Sequence, residues 1–183
     1  MADLTIHQLY NIMPNGKSRI DPFVDPLNAA MREFGITTPE RQREFIAQIA
    51  HESGEFKYVE EIASGSAYND RADLGNTQPE AVSVAKANGS TAGKWFKGHG
   101  LIQVTGYTNH KACGTALKLD AINKPTLLTT PDGASRSAAW FWGTHGCNEL
   151  ADKKDFIGVT KRINGGTNGL ADRQKFYERA KEQ

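Results

Sequence analysis

Glu52 combines an ionisable head with a place on what reads as the buried stripe of a helix. The segment Thr38-Pro39-Glu40 has the form of a helix start, with Thr as the cap and Pro at the first helical position, and Gly54 is an obvious stop. Between them Phe45, Ile49 and Glu52 fall at i, i+4 and i+7, one face of a 3.6-residue period, so Glu52 is expected to point inward. A carboxyl surrounded by apolar groups is harder to ionise, and one that keeps its proton near neutrality can serve as a general acid. Glu61 stands nine positions further on. On one continuous helix nine steps of about 100° put two side chains on opposite faces. The two acids converge only if the chain turns between them, and Gly54 supplies the place. Two carboxylates flanking a cleft, one protonated and one ionised, are the machinery of glycoside hydrolysis. The residues by themselves leave a plainer reading open, in which Glu52 frays into solvent or pairs with a structural arginine such as Arg43. They also do not separate Glu61 from Glu60.

Spacing excludes several other chemistries. His51-Glu52 lacks the second His of H-E-x-x-H, because Glu55 stands there. Gly98-His99-Gly100 lacks the later glycine and the βαβ setting of a dinucleotide loop, and no G-x-S-x-G is present. The five histidines are scattered, so neither a metal nor a cofactor is expected. A formal net charge of +1 gives no broad basic footprint for nucleic acid, although residues 153–181 lean basic, mostly as a solvated helix face. Cys113 and Cys147 lie in no C-x-x-C arrangement and read as buried small hydrophobes rather than a bridge. The segment Met1-Ala2-Asp3-Leu4 shows no basic region leading into an apolar stretch, and no apolar run nears the ~18 residues that span a bilayer. Synthesis in the cytoplasm without stable membrane insertion is the expectation.

The elements that must carry the acids read as mainly α-helical, with one small β patch beside the cleft. At 183 residues the chain is taken as one catalytic domain, residues 1–183, able to bury a core without staples. Leu9, Ile12 and Met13 mark a first helix stopped by Pro14 and Gly16, and Leu27, Met31 and Phe34 mark a second over 22–34. Small and polar residues over 64–94 read as a long surface loop, either a lid over a cleft or a tolerated insertion. Residues 98–106 read as a tight turn into a short strand, whose alternation puts Leu101, Gln103 and Thr105 on one face and Ile102 and Val104 on the other. Helical patterns return at 107–119, 134–145, 156–163 and 170–181, with Asn164-Gly165-Gly166 punctuating the last two.

The segments AHESGEF, KGHGLIQVTG and RINGGTNGLADR, in this order and spacing, resemble the three signature regions of the family 19 glycoside hydrolases, a chitinase-like group that includes many bacteriophage endolysins. The likeness runs from about Thr38 to the C-terminus and implies a lysozyme-like helical fold. It also implies an inverting mechanism with Glu52 as general acid and Glu61 as general base. Thr105 then matches a hydroxyl that holds the attacking water. Gln103, Asn109 and Asn164 match residues lining the substrate cleft, and Arg173 matches an arginine near the carboxylates; Tyr68 is a candidate for stacking on a sugar ring. Two departures stand out: His99 occupies a place where relatives commonly carry Arg, and Asn168 one that is acidic in some chitinases. The compact endolysin resemblance implies bacterial peptidoglycan as substrate, a monomer, and dependence on a holin-like permeabiliser to reach the wall. Rival readings are a chitinase acting on chitin oligomers, a lytic transglycosylase needing one acid, a catalytically dead wall-binding module, and a metal-dependent amidase or peptidase.

Overall fold

The structure, a computed structural model, describes residues 2–183, so the first residue of the expected 1–183 domain lies outside the described part. Thr5 opens α1 (Ile6–Ile12) with a capping box: its hydroxyl accepts from the Gln8 amide, and the Gln8 side chain accepts from the Thr5 amide. The helix stops ahead of Pro14, and Leu9, Ile12 and Met13 are buried. The helix expected over 22–34 is shorter. A short α2 (Lys17–Ile20) and a 3-10 turn at Asp21–Phe23 lead into α3 (Val24–Glu33). Pro22 lacks an amide donor and so suits that tight first turn, while Leu27 and Met31 pack inward as the period requires. Thr38 caps α4 (Pro39–Glu52), accepting from the Arg41 amide at 3.2 Å.

The remaining helices are α5 (Pro79–Ala87), α6 (Ala92–Trp95), α7 (Tyr107–Leu117), α8 (Pro131–Thr144), α9 (Cys147–Asp152), α10 (Phe156–Asn164) and α11 (Leu170–Lys181). Two features differ from the sequence reading. The stretch over 64–94 is not one long loop, since it holds α5 and α6 besides two 3-10 turns. Ala81 and Ala85, which look like loop composition, are the buried i, i+4 stripe of α5, and Ala81 clusters with Ala92, Phe96 and Tyr107. The short strand over 98–106 is absent as well. His99 pairs with Glu60 and with Val104 in isolated antiparallel bridges, and residues 100–103 form the turn between. Leu101, Ile102 and Val104 are therefore all buried while Gln103 is exposed, and period-2 alternation fails because the segment is a turn.

In the main core α4 packs against α11, α9 and α10, and α3 against α8. Phe45 meets Trp142 edge to face, with ring centroids 5.4 Å apart, and the indole donates to Asn148 Oδ1 at 2.8 Å. Burying each such aromatic or branched side chain contributes about 1.5–3 kcal/mol. Cys147 lies in this core and Cys113 in a separate cluster with Val104, Leu117 and Leu128. Both thiols are free, and burial pushes each up to about 12. They are small buried hydrophobes, as their spacing suggested. No helix among the described residues is long and apolar enough to cross a membrane.

Candidate active site

The bend between Glu52 and Glu61 is built from left-handed backbone. Gly54, Glu55 and Phe56 take φ values of 56°, 57° and 66° in succession. For the two residues with side chains this conformation costs about 1–2 kcal/mol each, and the surroundings show what maintains it. Ser53 Oγ donates to Ile49 O at 2.6 Å and accepts from the Phe56 amide at 2.9 Å. The Glu55 amide donates to Ala50 O and the Tyr58 amide to Ser53 O, both at 2.8 Å. From the N-terminal helices, Arg19 donates to Glu55 O at 3.3 Å and Phe23 stacks on Phe56, centroids 4.6 Å apart. Gly16 permits this approach, because a Cβ there would lie 2.7 Å from Glu55 O. Only Gly54 among these is legible as a turn residue in the sequence. The roles of Ser53, Arg19 and Gly16 depend on contacts made across the fold.

Glu52 closes α4 with its side chain 27% exposed, so the wholly apolar surroundings expected for it are not found. Its partner is Arg173, at 2.6 Å from Oε1 and 1% exposed. The guanidinium sits on α11, which packs along α4, and is held in turn by two further acceptors. Its Nη1 donates to Gln48 Oε1 at 2.7 Å and its Nε to Asn168 O at 3.1 Å. Gln48 Nε2 continues the chain to Thr160 Oγ1 at 3.0 Å. Position 168 thus meets Arg173 through its backbone carbonyl. Arg43, the alternative partner raised from sequence, is not the one Glu52 uses.

Glu52, Glu60 and Glu61 open on one groove of about 440 Å³, whose wall includes Tyr58, Ile102, Gln103, Phe141 and Ile163. Glu61 has one carboxylate oxygen on each of two neutral donors, the Tyr68 hydroxyl at 2.8 Å and the Gly98 amide at 2.9 Å. The Glu61 amide in turn donates to Gly98 O at 2.8 Å. Glu60 is held differently: its Oε1 lies 3.2 Å from Lys97 Nζ and 3.8 Å from His99 Nε2. Sequence could not separate the two acids. The structure distinguishes them by environment, one positioned by neutral donors and the other neutralised by an ammonium group.

The other expected residues divide. Gln103 lines the groove, whereas Thr105 and Asn109 are not among its lining residues; Asn109 Nδ2 donates to Thr105 O at 2.8 Å in the first turn of α7. With the strand replaced by a turn, Thr105 follows the Val104 bridge, and the alternation that grouped it with Gln103 does not apply. Asn164 ends α10 beside Ile163, with a buried Nδ2 that has no hydrogen-bond partner. Tyr68, expected as a sugar platform, has its hydroxyl on Glu61, and that hydrogen bond is the main cause raising the phenol above its ordinary pKa. No group of His, Cys, Asp and Glu among the described residues has a geometry that could hold a metal ion.

Comparison with known proteins bears on this arrangement. Residues 21–178 match the family model described as "Chitinase class I", that of glycoside hydrolase family 19. A Haemophilus influenzae protein, "Glycosyl hydrolase family 19 domain-containing protein", is 29% identical over 171 residues, covering 82% of this chain and 84% of the relative. An Arabidopsis thaliana endochitinase is 34% identical over 66% of this chain, which spans only 38% of that relative. Chitinase C from Streptomyces griseus superposes with a TM-score of 0.77 at 21% identity, over 97% of this chain and 75% of that one. The helical, nearly strandless architecture is the lysozyme-like fold of these chitinases. With most of its length matched in both sequence pattern and fold, the chain belongs to glycoside hydrolase family 19.

Proposed function

We propose that this glycosidase cleaves β-1,4 bonds between the amino sugars of bacterial peptidoglycan by an inverting mechanism, with Glu52 as general acid and Glu61 as general base. The observation that supports this most is that the two carboxylates share a groove while being held by unlike partners. Glu52 donates its proton to the glycosidic oxygen. Arg173, 2.6 Å from Oε1, stabilises the carboxylate that this transfer leaves behind. Glu61, fixed through both oxygens, takes a proton from a water that attacks the anomeric carbon on the opposite face. Carboxyls of inverting enzymes stand about 6.5–9.5 Å apart to admit that water. Gln103 binds sugar in the groove, while Thr105, Asn109 and Asn164 carry their assignments from family resemblance. In the same reading the enzyme is a monomer made in a host cytoplasm and reaches the wall once a holin-like partner has opened the membrane, which rests on analogy.

A second reading is favoured by the relatives, an endochitinase and chitinase C: the same acids acting on chitin oligomers. Mass spectrometry of products from purified sacculi and from chitin oligomers separates the two. On the preferred substrate Glu52→Gln and Glu61→Gln each lose roughly 10²-fold or more in turnover while keeping the helical circular dichroism spectrum. Glu60→Gln stays within a few-fold of the parent. A folded, active Glu52→Gln protein refutes the assignment, and so does NMR detection of a retained anomer as the first product. Anhydro sugar ends with a dispensable Glu61 would identify a transglycosylase instead.

A further inference from the structure

Glu60 is a ridge between two grooves. On its far side lies a second groove of about 220 Å³, bounded by Lys94, Trp95, Lys97 and Lys124, with His99 and Pro125 among its buried walls. Three lysines and one carboxylate, Glu60, line it. Lys97 pairs with Glu60, but Lys94 and Lys124 have no carboxylate oxygen within 4.0 Å among the described residues. Asp120, four positions before Lys124, has both side-chain oxygens on Asn123, and the Lys124 charge is a lesser cause holding it below the usual carboxylate range, so three lysines stand against two carboxylates, Glu60 and Asp120. Trp95 is half-buried, and its indole nitrogen donates to Ile122 O at 2.8 Å, which fixes the ring at the groove. His99 adds no positive charge at neutral pH, because burial and then the Lys97 ammonium push its imidazole down to about 4. The result is a local excess of positive charge on a chain whose formal net charge is only +1.

We infer that this second groove is an anion subsite, which receives a carboxylate borne as a branch on the glycan lying across Glu52 and Glu61. The inference rests on the reaction proposed above and adds to it the residues that select an acidic over a neutral glycan. Chitin is an unbranched neutral polymer and offers this groove nothing to bind. Peptidoglycan offers the carboxylates of its acidic stem peptide, and a free lactyl carboxylate on the sugar wherever that peptide has been removed. Lys94 and Lys124 attract the anion, and the fixed Trp95 ring gives an apolar platform beside it. Lys97 bridges the subsite to Glu60.

The test compares the parent chain with Lys94→Gln/Lys124→Gln, both exposed positions, on three substrates: intact sacculi, amidase-stripped glycan strands that keep only lactyl carboxylates, and neutral chitin oligomers. In the double variant the ratio of kcat/KM on acidic glycan to that on chitin falls about fivefold at low salt, mainly through KM, and the difference fades toward 0.5 M salt as ~4 Å screening sets in. A loss on sacculi alone identifies the stem-peptide carboxylates as the ligand, a loss on stripped strands alone identifies the free lactyl carboxylate, and a loss on both shows that the groove takes either. Isothermal titration of stripped strands into a Glu52→Gln background reads the subsite without turnover, with a similar weakening in Kd expected on adding the two lysine substitutions. Unchanged ratios and unchanged Kd overturn the inference while leaving the hydrolytic assignment intact. Binding that depends on the lysines, without turnover of any peptidoglycan substrate, overturns the hydrolytic assignment instead.

Discussion

Two buried titrating sites should give the protein a stability maximum near pH 6.5, with a separable flank on each side. The first is the His99–His110 pair, 2.9 Å apart between Nδ1 and Nε2, with both rings buried. His110 Nδ1 lies 2.8 Å from Gly106 O, a pure acceptor, so that nitrogen carries the hydrogen and Nε2 must accept from His99 Nδ1. A second proton on His110 would have to displace the bond to His99. Burial pushes His99 down to about 4 and His110 to about 3, from an ordinary 6.5. Both folded values lie below the unfolded one, so the unfolded chain binds two more protons as pH falls below 6.5, and stability falls with it. The second site is Glu44 on α4, fully buried with both oxygens unpartnered. Burial first, then the Glu40 carboxylate, pushes it from 4.5 up to about 8. The folded chain therefore holds one extra proton between those values, and stability falls as pH rises through 8.

Each proton difference contributes about 1.4 kcal/mol per pH unit. Between 6.5 and 4.5 the two histidines oppose one glutamate, leaving a net loss of about 3 kcal/mol over the two units. Between 6.5 and 8 Glu44 acts alone, for a loss of about 2 kcal/mol. Urea unfolding followed by tryptophan fluorescence across this range measures both. Glu44→Gln should remove the alkaline flank and roughly double the acid slope, because the opposing proton is gone. His110→Asn should flatten the acid flank, leaving one histidine against one glutamate. If Glu44→Gln leaves both slopes as they were, the reasoning is refuted.

Two further outcomes concern the groove of Glu52 and Glu61. Glu52→Ala strands the buried Arg173 guanidinium without its anion and should destabilise the fold by about 3 kcal/mol, whereas Glu52→Gln keeps an acceptor and should lose markedly less; equal urea midpoints for the two variants would contradict the buried ion pair. Tyr68→Phe removes one of the donors holding Glu61 and should lower kcat about tenfold with little change in KM, as expected for a hydrogen bond to a charged group. A loss carried mainly by KM would return Tyr68 to the sugar-stacking role that its sequence position suggested.

Much of the helical frame was legible from local signals. Thr38-Pro39 starts α4 and Phe45 and Ile49 lie on its buried face, because caps and a 3.6-residue period act within a few residues of one another. The same period turned Glu52 toward the interior, and family spacing chose Glu61 over Glu60. Tertiary contacts decided the rest. Arg173, 121 positions from Glu52, determines what that carboxylate meets, and no local pattern encodes such a pairing. The left-handed run at Gly54–Phe56 persists because Arg19, Phe23 and Gly16 close around it from another part of the chain. Residues 98–106 alternate like a strand yet form a turn, since His99 is tied at once to Glu60, Val104 and His110. Sequence determined which side chains could do the chemistry; long-range packing, which can stabilise strained backbone and pair distant charges, decided where each of them stands.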